Sequence, residues 1–293
     1  STLTIDSGGT AEFAASNQLG ASASIVNNGT LATGSGSLTD SFASLSSSGT
    51  ISGNGTLTAS TYTLSGGTVN ANLGAGTLNI TGNVALNGTS GANSVAITGG
   101  NLTLGSGANR LSSSADVTIS ASRSLTIAGN QTVASIKETA TSDGGTIAIG
   151  SGAILTVNGA NKGSLFQNSI SGLGGLTVNG GNLVLGAANT LSGNVVLNGA
   201  GSLTLGAAGA LGSGNSLAFG SGASGEFKLA GNAVTLAGLS THATVGTPTV
   251  VNGVSATTAT LTVDVASGTK TFAGVLADGS LGTLAFAKSG AGT

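Results

Sequence analysis

Side chains able to do acid–base, nucleophilic or metal chemistry are scarce in this chain of 293 residues. There is one histidine, His242, and no cysteine. A Ser-His-Asp site would have to use His242, with Asp264 lying 22 residues further on. No Gly-x-Ser-x-Gly elbow accompanies it, and Thr241-His242-Ala243 reads as a solvated loop. Glycoside hydrolysis needs two carboxylates held about 5 Å or about 6.5–9.5 Å apart. Charges thicken only at Arg110, Asp116, Arg123, Lys137, Glu138 and Asp143. This stretch reads as a contact cluster on a lateral loop or as a solvated, charged insertion. It contains no aromatic residue to stack on a sugar. Asp143-Gly144-Gly145 and Asp278-Gly279 are isolated and read as turns rather than calcium loops. No Gly-x4-Gly-Lys-[Ser/Thr] phosphate loop is present. The expectation is therefore a non-enzymatic chain with no catalytic, cofactor-binding or metal-binding residue, and no cofactor.

The composition narrows the class further. Only 5% of residues are charged, against about 25% in an ordinary soluble domain. The 7 basic residues, 7 Phe and single Tyr do not make a nucleic-acid footprint. Without cysteine there is no disulfide and no thiolate metal site. No apolar run approaches the 18 or so residues of a membrane helix, so membrane insertion by this segment is not expected. Gly fills 53 positions but Pro only 1, which excludes collagen. Asn-x-[Ser/Thr] occurs at Asn28, Asn54, Asn79, Asn87, Asn101 and Asn130, as chance allows in so Asn- and Thr-rich a chain. The start, Ser1-Thr2-Leu3-Thr4-Ile5, has no initiator Met and reads as a processed chain or a fragment.

The elements that must position any site are short strands. Triplets of the form apolar-x-apolar recur, among them Leu102-Thr103-Leu104, Leu125-Thr126-Ile127, Leu155-Thr156-Val157 and Leu203-Thr204-Leu205. Period two puts both aliphatics on one face. Gly, Asn and Ser between them supply turns. Gly-Thr recurs at Gly9, Gly29, Gly49, Gly67 and Gly88, in steps of 20, 20, 18 and 21. Asn-Gly follows a strand at Asn158, Asn179 and Asn198, in steps of 21 and 19. Leu31, Leu38 and Leu45 align with Ile51, Leu57 and Leu64.

Two independent markers thus give a period of roughly 20 residues, which fits one coil of a parallel β-solenoid. An antiparallel meander, with a hairpin at Asn179-Gly180, is the competing reading. Fourteen or so coils at about 4.8 Å each would make a rod of some 60–70 Å. Triplets starting at Val95, Val117, Ile147, Leu176, Val195 and Leu217 are spaced 22, 30, 29, 19 and 22. The longer gaps predict loops or extra strands. Irregular insertions are expected near 128–146 and 240–259, the second as a protruding loop. Phe219 and Phe286 are expected in the core, with Phe42 and Phe166 as candidates to project.

The C-terminal run Leu284-Ala285-Phe286-Ala287-Lys288-Ser289-Gly290-Ala291-Gly292-Thr293 resembles the passenger-associated transport repeat, or autotransporter-associated β-strand repeat, of form Leu-x-Lys-x-Gly-x-Gly-Thr-Leu. Lys288, Gly290, Gly292 and Thr293 match its lysine and glycine turn. Phe272-Ala273-Gly274-Val275-Leu276 resembles the strand leading into it. The resemblance implies a right-handed parallel β-helix on a bacterial surface, exported across the outer membrane and free of cysteine. It also implies that residues 1–293 are one β-helical segment of a longer protein, with the repeat broken off within 282–293. The expected function is a structural extracellular stalk serving adhesion, display or cell–cell association. The alternatives are a self-associating subunit of an extracellular fibre or matrix, and a β-helix that binds or cleaves polysaccharide. Expected partners are further copies of the chain, laterally or end to end, or glycans and proteins of a host or neighbouring cell.

Overall fold

The computed structural model describes residues 1–34, 36–138, 144–159, 164–279 and 282–293. The chain winds as an all-β parallel solenoid with coils of about 20 residues. Every described strand pair is parallel and joins one coil to the next. The segment around Asn179-Gly180 is no hairpin. Gly175–Val178 and Asn182–Leu185 pair with the coils on either side of them, not with each other.

Each coil visits up to three faces. The first begins with Thr2–Ile5 and Ser24–Asn27 and runs through eight rungs to Ser135–Glu138. That strand lies alongside Ser164–Phe166. Six more rungs then end at Val275–Ala277. The second face stacks ten strands from Thr10–Glu12 to Thr190–Leu191. Val234–Leu236, Thr258–Asp264 and Thr283–Ser289 later take the same place in the order of the coil. The third face starts in the leading halves of the long strands Thr39–Ser47 and Thr56–Leu64. It thins to single bridges, Leu73 to Ser90 to Leu111, and becomes a six-stranded sheet from Gln131–Val133 to Gly238–Thr241.

Alternation decides what lies inside. On the second face Leu31, Ile51, Val69, Leu86, Leu104, Ile127 and Ile149 are successive register partners, each at most 1% exposed. Burying each such side chain stabilises by about 1.5–3 kcal/mol. The residues between them, such as Thr30, Thr50 and Thr103, face outward.

The Gly-Thr marker has a steric cause. A Cβ on Gly29 would run into the carbonyl of Gly9, one on Gly49 into that of Gly29, and one on Gly67 into that of Gly49. Four glycines thus form one column where successive rungs touch. The fifth, Gly88, belongs elsewhere. Its Cβ would strike the carbonyl of Ala71 at the turn after Val84–Leu86. Ala85 pairs with Thr68, so Val84 follows Gly67 in the column.

Other readings shift for related reasons. Leu31 does pair with Ile51, but Leu45 pairs with Tyr62 and Asp40 with Leu57. That coil is 17 residues long, so a fixed step of 19 or 20 slips out of register. The gaps of 30 and 29 arise mainly because the triplet marker changes face, although the coils also lengthen, from 17 residues at Leu45–Tyr62 to 24 at Val133–Val157. Val117 is on the first face, Ile147 on the second as the partner of Leu125, and Leu176 on the third as the partner of Leu155. Residues 128–146 hold Gln131–Val133, Ser135–Glu138 and the start of Thr146–Ile149, with 139–143 outside the described residues. Residues 240–259 include the strand Thr249–Val251, which pairs on both sides. The aromatic residues also exchange places. Phe42 and Phe166 are buried, whereas Phe286 is 52% exposed on the last described strand.

The glycine column yields a paired test. Gly49→Ala is expected to destabilise by about 1–3 kcal/mol through backbone overlap. Gly20→Ala, where a Cβ meets nothing within 4 Å and φ is not positive, should be neutral or stabilise by up to about 1 kcal/mol. Urea unfolding midpoints compare the two.

Candidate functional site

The charged cluster is split by the coil geometry. Asp116 and Lys137 are on neighbouring rungs of the first face, where Asp116 pairs with Ser135 and Thr118 with Lys137. Ser135 Oγ donates to Asp116 Oδ1 at 2.7 Å. Glu138 closes the same strand opposite Ile119, and Asn168 Nδ2 donates to its Oε1 at 2.6 Å. Arg123 sits in the turn leaving this face, its amide donating to Ser120 O. Arg110 lies at the entrance to the third face, where its carbonyl accepts from Ser90 N. Asp143 lies outside the described residues. The structure therefore brings Asp116, Lys137 and Glu138 together, with Arg123 at the adjoining corner and Arg110 on another side of the coil. Asp116 and Glu138 are offset by three residues along the strand direction, about 10 Å. Both bind a neutral side chain on a neighbouring coil.

His242 and Asp264 likewise have separate partners. Thr244 Oγ1 lies 2.9 Å from His242 Nδ1, and Thr244 N donates to that nitrogen at 3.2 Å. Asp264 accepts from Ser289 Oγ at 2.9 Å. Among the described residues no group of three or more His, Asp or Glu side chains is placed to hold a metal ion.

The C-terminal motif forms a local device. Lys288 Nζ donates to Gly290 O at 2.7 Å and also to Gly292 O. Gly290 has φ of 77°, and a Cβ there would overlap Val265 O. Gly292 N donates to Val265 O, and Thr293 N to Gly268 O. The Lys-x-Gly-x-Gly spacing thus lets an ammonium fold back on the carbonyls of its own turn while the turn is sewn to the preceding coil.

Sequence reasoning missed a set of buried amides that replace strand pairing at corners. Gln131, 2% exposed, accepts from Leu111 N at 3.0 Å and donates to Leu111 O at 3.1 Å, so its side chain stands in for a strand. Asn215 donates to Leu191 O and Gly193 O and accepts from Gly212 N. Asn252 donates to Thr257 O and Thr283 O and accepts from Gly231 N. At exposed corners Asn198, Asn179 and Asn158 form an amide ladder, each bond 2.9 Å. This is the structural origin of the Asn-Gly marker.

Tyr62 is a fully buried titratable group, whose hydroxyl accepts from Ala59 N and donates to Leu57 O. Burial pushes its phenol above the usual value of 10, against backbone hydrogen bonds that pull it down. Because the folded value is raised, the stabilisation is complete below the unfolded value and is lost as pH rises through the folded one. With one Tyr and no Trp, absorbance at the phenolate band reads this residue alone. The expected result is a midpoint above 10 in the native chain and about 10 in denaturant.

The described residues also form surface grooves, three of which stand out. One of about 410 Å³ is lined by Ile154, Leu173, Thr177, Asn194 and Val196, with Leu173 67% exposed. A second of about 250 Å³ lies at the last coil among Val263, Phe272, Leu276, Phe286 and Lys288. The third, of about 400 Å³, is lined by Thr68, Asn83, Ala85, Asn101 and Thr103. No family model, no curated protein and no solved structure matches the chain.

Proposed function

We propose that this chain is the β-helical stalk of a large secreted or surface-anchored bacterial protein of the autotransporter passenger type, serving adhesion, display or cell–cell association. The observation that carries the reading is the parallel ladder, with fourteen rungs along its first face in the described residues. Each coil contacts only its neighbours, so length is added without a new core. That is the construction of a spacer. The Lys288-Gly290-Gly292 turn supports the specific family, as does a chain without cysteine. In this role the chain works mechanically. It carries a distal region away from the cell or offers long flat sides to a partner.

A second reading, a self-associating subunit of an extracellular fibre or matrix, is favoured by the charge distribution. Residues 41–109 contain no Asp, Glu, Lys, Arg or His. Little repulsion opposes close approach of two such surfaces.

Protease treatment of intact source cells tests location. The stalk reading expects an antibody signal against this segment to be lost from whole cells while a cytoplasmic marker survives. A segment protected in intact cells and cleaved only after lysis would refute it. Released fibres sedimenting without the cell envelope would favour the second reading.

A further inference from the structure

The outward column of the second face is built mainly of threonines, interrupted by Ala85 and again by Ala148 and Ser171 before it ends at Thr190. Thr10 pairs with Thr30 and Thr30 with Thr50. Thr68 follows, preceding Val69 as Thr50 precedes Ile51. The next rung presents Ala85, and the column resumes at Thr103 and Thr126. At the Ala85 rung lies an open groove of about 400 Å³, within the range of small-ligand sites, which the short side chain of Ala85 deepens into a notch. Its floor is Ala85 and Gly67, and the hydroxyls of Thr68 and Thr103 stand at its two ends along the rod axis. Asn83 and Asn101 form the adjoining wall.

The wall is positioned and has unspent bonding capacity. Asn83 Oδ1 accepts from Asn101 N at 3.1 Å, and Asn101 Oδ1 accepts from Ser124 N at 3.0 Å. These bonds tie each amide oxygen to the backbone of the next coil. Among the described residues neither Nδ2, nor the hydroxyl of Thr68 or Thr103, donates to a protein acceptor. The notch thus offers two amide donors one rung apart, about 4.8 Å, and two hydroxyls two rungs apart, about 10 Å. Val84 and Leu86 hold the strand from inside at 3% and 0% exposure.

We propose that this notch binds a neutral, extended glycan laid along the rod axis. The ligand must be neutral, because residues 41–109 hold no Asp, Glu, Lys, Arg or His, so a charged ligand would lose hydration without an opposite charge. It must supply donors and acceptors together, to meet both amides and hydroxyls. Sugar hydroxyls do both. A peptide strand would pair at a sheet edge, whereas this surface is a sheet face. An extended β-linked hexopyranose chain advances by close to one rung per sugar, so consecutive sugars meet Asn83 and then Asn101. This inference is independent of where the rod resides.

The test is calorimetric titration of the full chain with cellohexaose and chitohexaose. Maltohexaose serves as a coiled control and a galacturonate hexamer as an anionic one. The expected result is saturable binding of a β-linked neutral oligomer at millimolar Kd or tighter, unchanged between low and high salt. Ala85→Gln, which fills the notch from outside, should weaken it at least tenfold. Thr103→Val should weaken it about threefold or more. Both variants should keep the parent's unfolding midpoint, since the side chains face solvent. No saturable binding of either β-linked oligomer, equal binding by the Ala85→Gln variant, or preference for the galacturonate would each overturn the proposal.

Discussion

The constraint on which everything else rests is the contact between one rung and the next. Parallel in-register strands lie about 4.8 Å apart, so every side chain sits directly over its counterpart one coil away. Whatever occupies a position must tolerate a near copy of itself. Inside the coil, aliphatics meet this condition by stacking, and the Leu31-to-Ile149 ladder follows. At one corner the backbones come so close that no Cβ fits, and the Gly9, Gly29, Gly49, Gly67 column follows. At another, an amide can donate upward and accept from below, so Asn158, Asn179 and Asn198 stack.

The same constraint accounts for the scarcity of charge. Two like charges on successive rungs would face each other at about 4.8 Å, costing about 1 kcal/mol in water and about 3 kcal/mol at a partly shielded surface. The described registers avoid this. Asp116 lies between Ser94 and Ser135, Lys137 pairs with Thr118, and Lys228 lies between Thr204 and Val251. Glu226 pairs with Thr249, Asp264 with Ser289 and Lys288 with Val263. No described register pair joins two charged residues. Where opposite charges do meet, they do so along a strand, as Glu226 and Lys228 at 2.9 Å. The 5% charge is thus what in-register stacking leaves room for.

Much of the fold was legible because steric and hydrogen-bonding columns leave marks at fixed sequence intervals. The Asn-Gly marker and the Gly-Thr marker as far as Gly67 were real columns, and their common step gave the coil. What escaped was the face on which each marker lay. Triplets on all three faces look alike, so Val117, Ile147 and Leu176 read as one series with long gaps. A 17-residue coil likewise moved Tyr62, not Leu64, over Leu45. Gln131 was illegible for a different reason. A glutamine heading Gln131-Thr132-Val133 looks like a solvated strand end, and only the unpaired backbone of Leu111 explains its burial. The charge cluster was visible as composition, but the winding that separates Arg110 from Asp116 was not.

Interior and exterior are therefore specified by different rules. The inward positions answer to stacking and admit few residue types. The outward positions answer only to the demand that neighbours in a column be compatible, which Ser, Thr, Asn and Ala all satisfy. A single exchange among these small residues leaves the core untouched and alters the relief of the surface. Ala85 and Ala148 in a column mainly of threonines are such exchanges, and Leu173, exposed in the turn between Ile170–Gly172 and Gly175–Val178, is a projection of a different kind. In a rod built this way, specificity can change one outward residue at a time without a cost in folding. Chemical character is then carried by gaps and projections in otherwise uniform columns rather than by a constellation of ionisable groups.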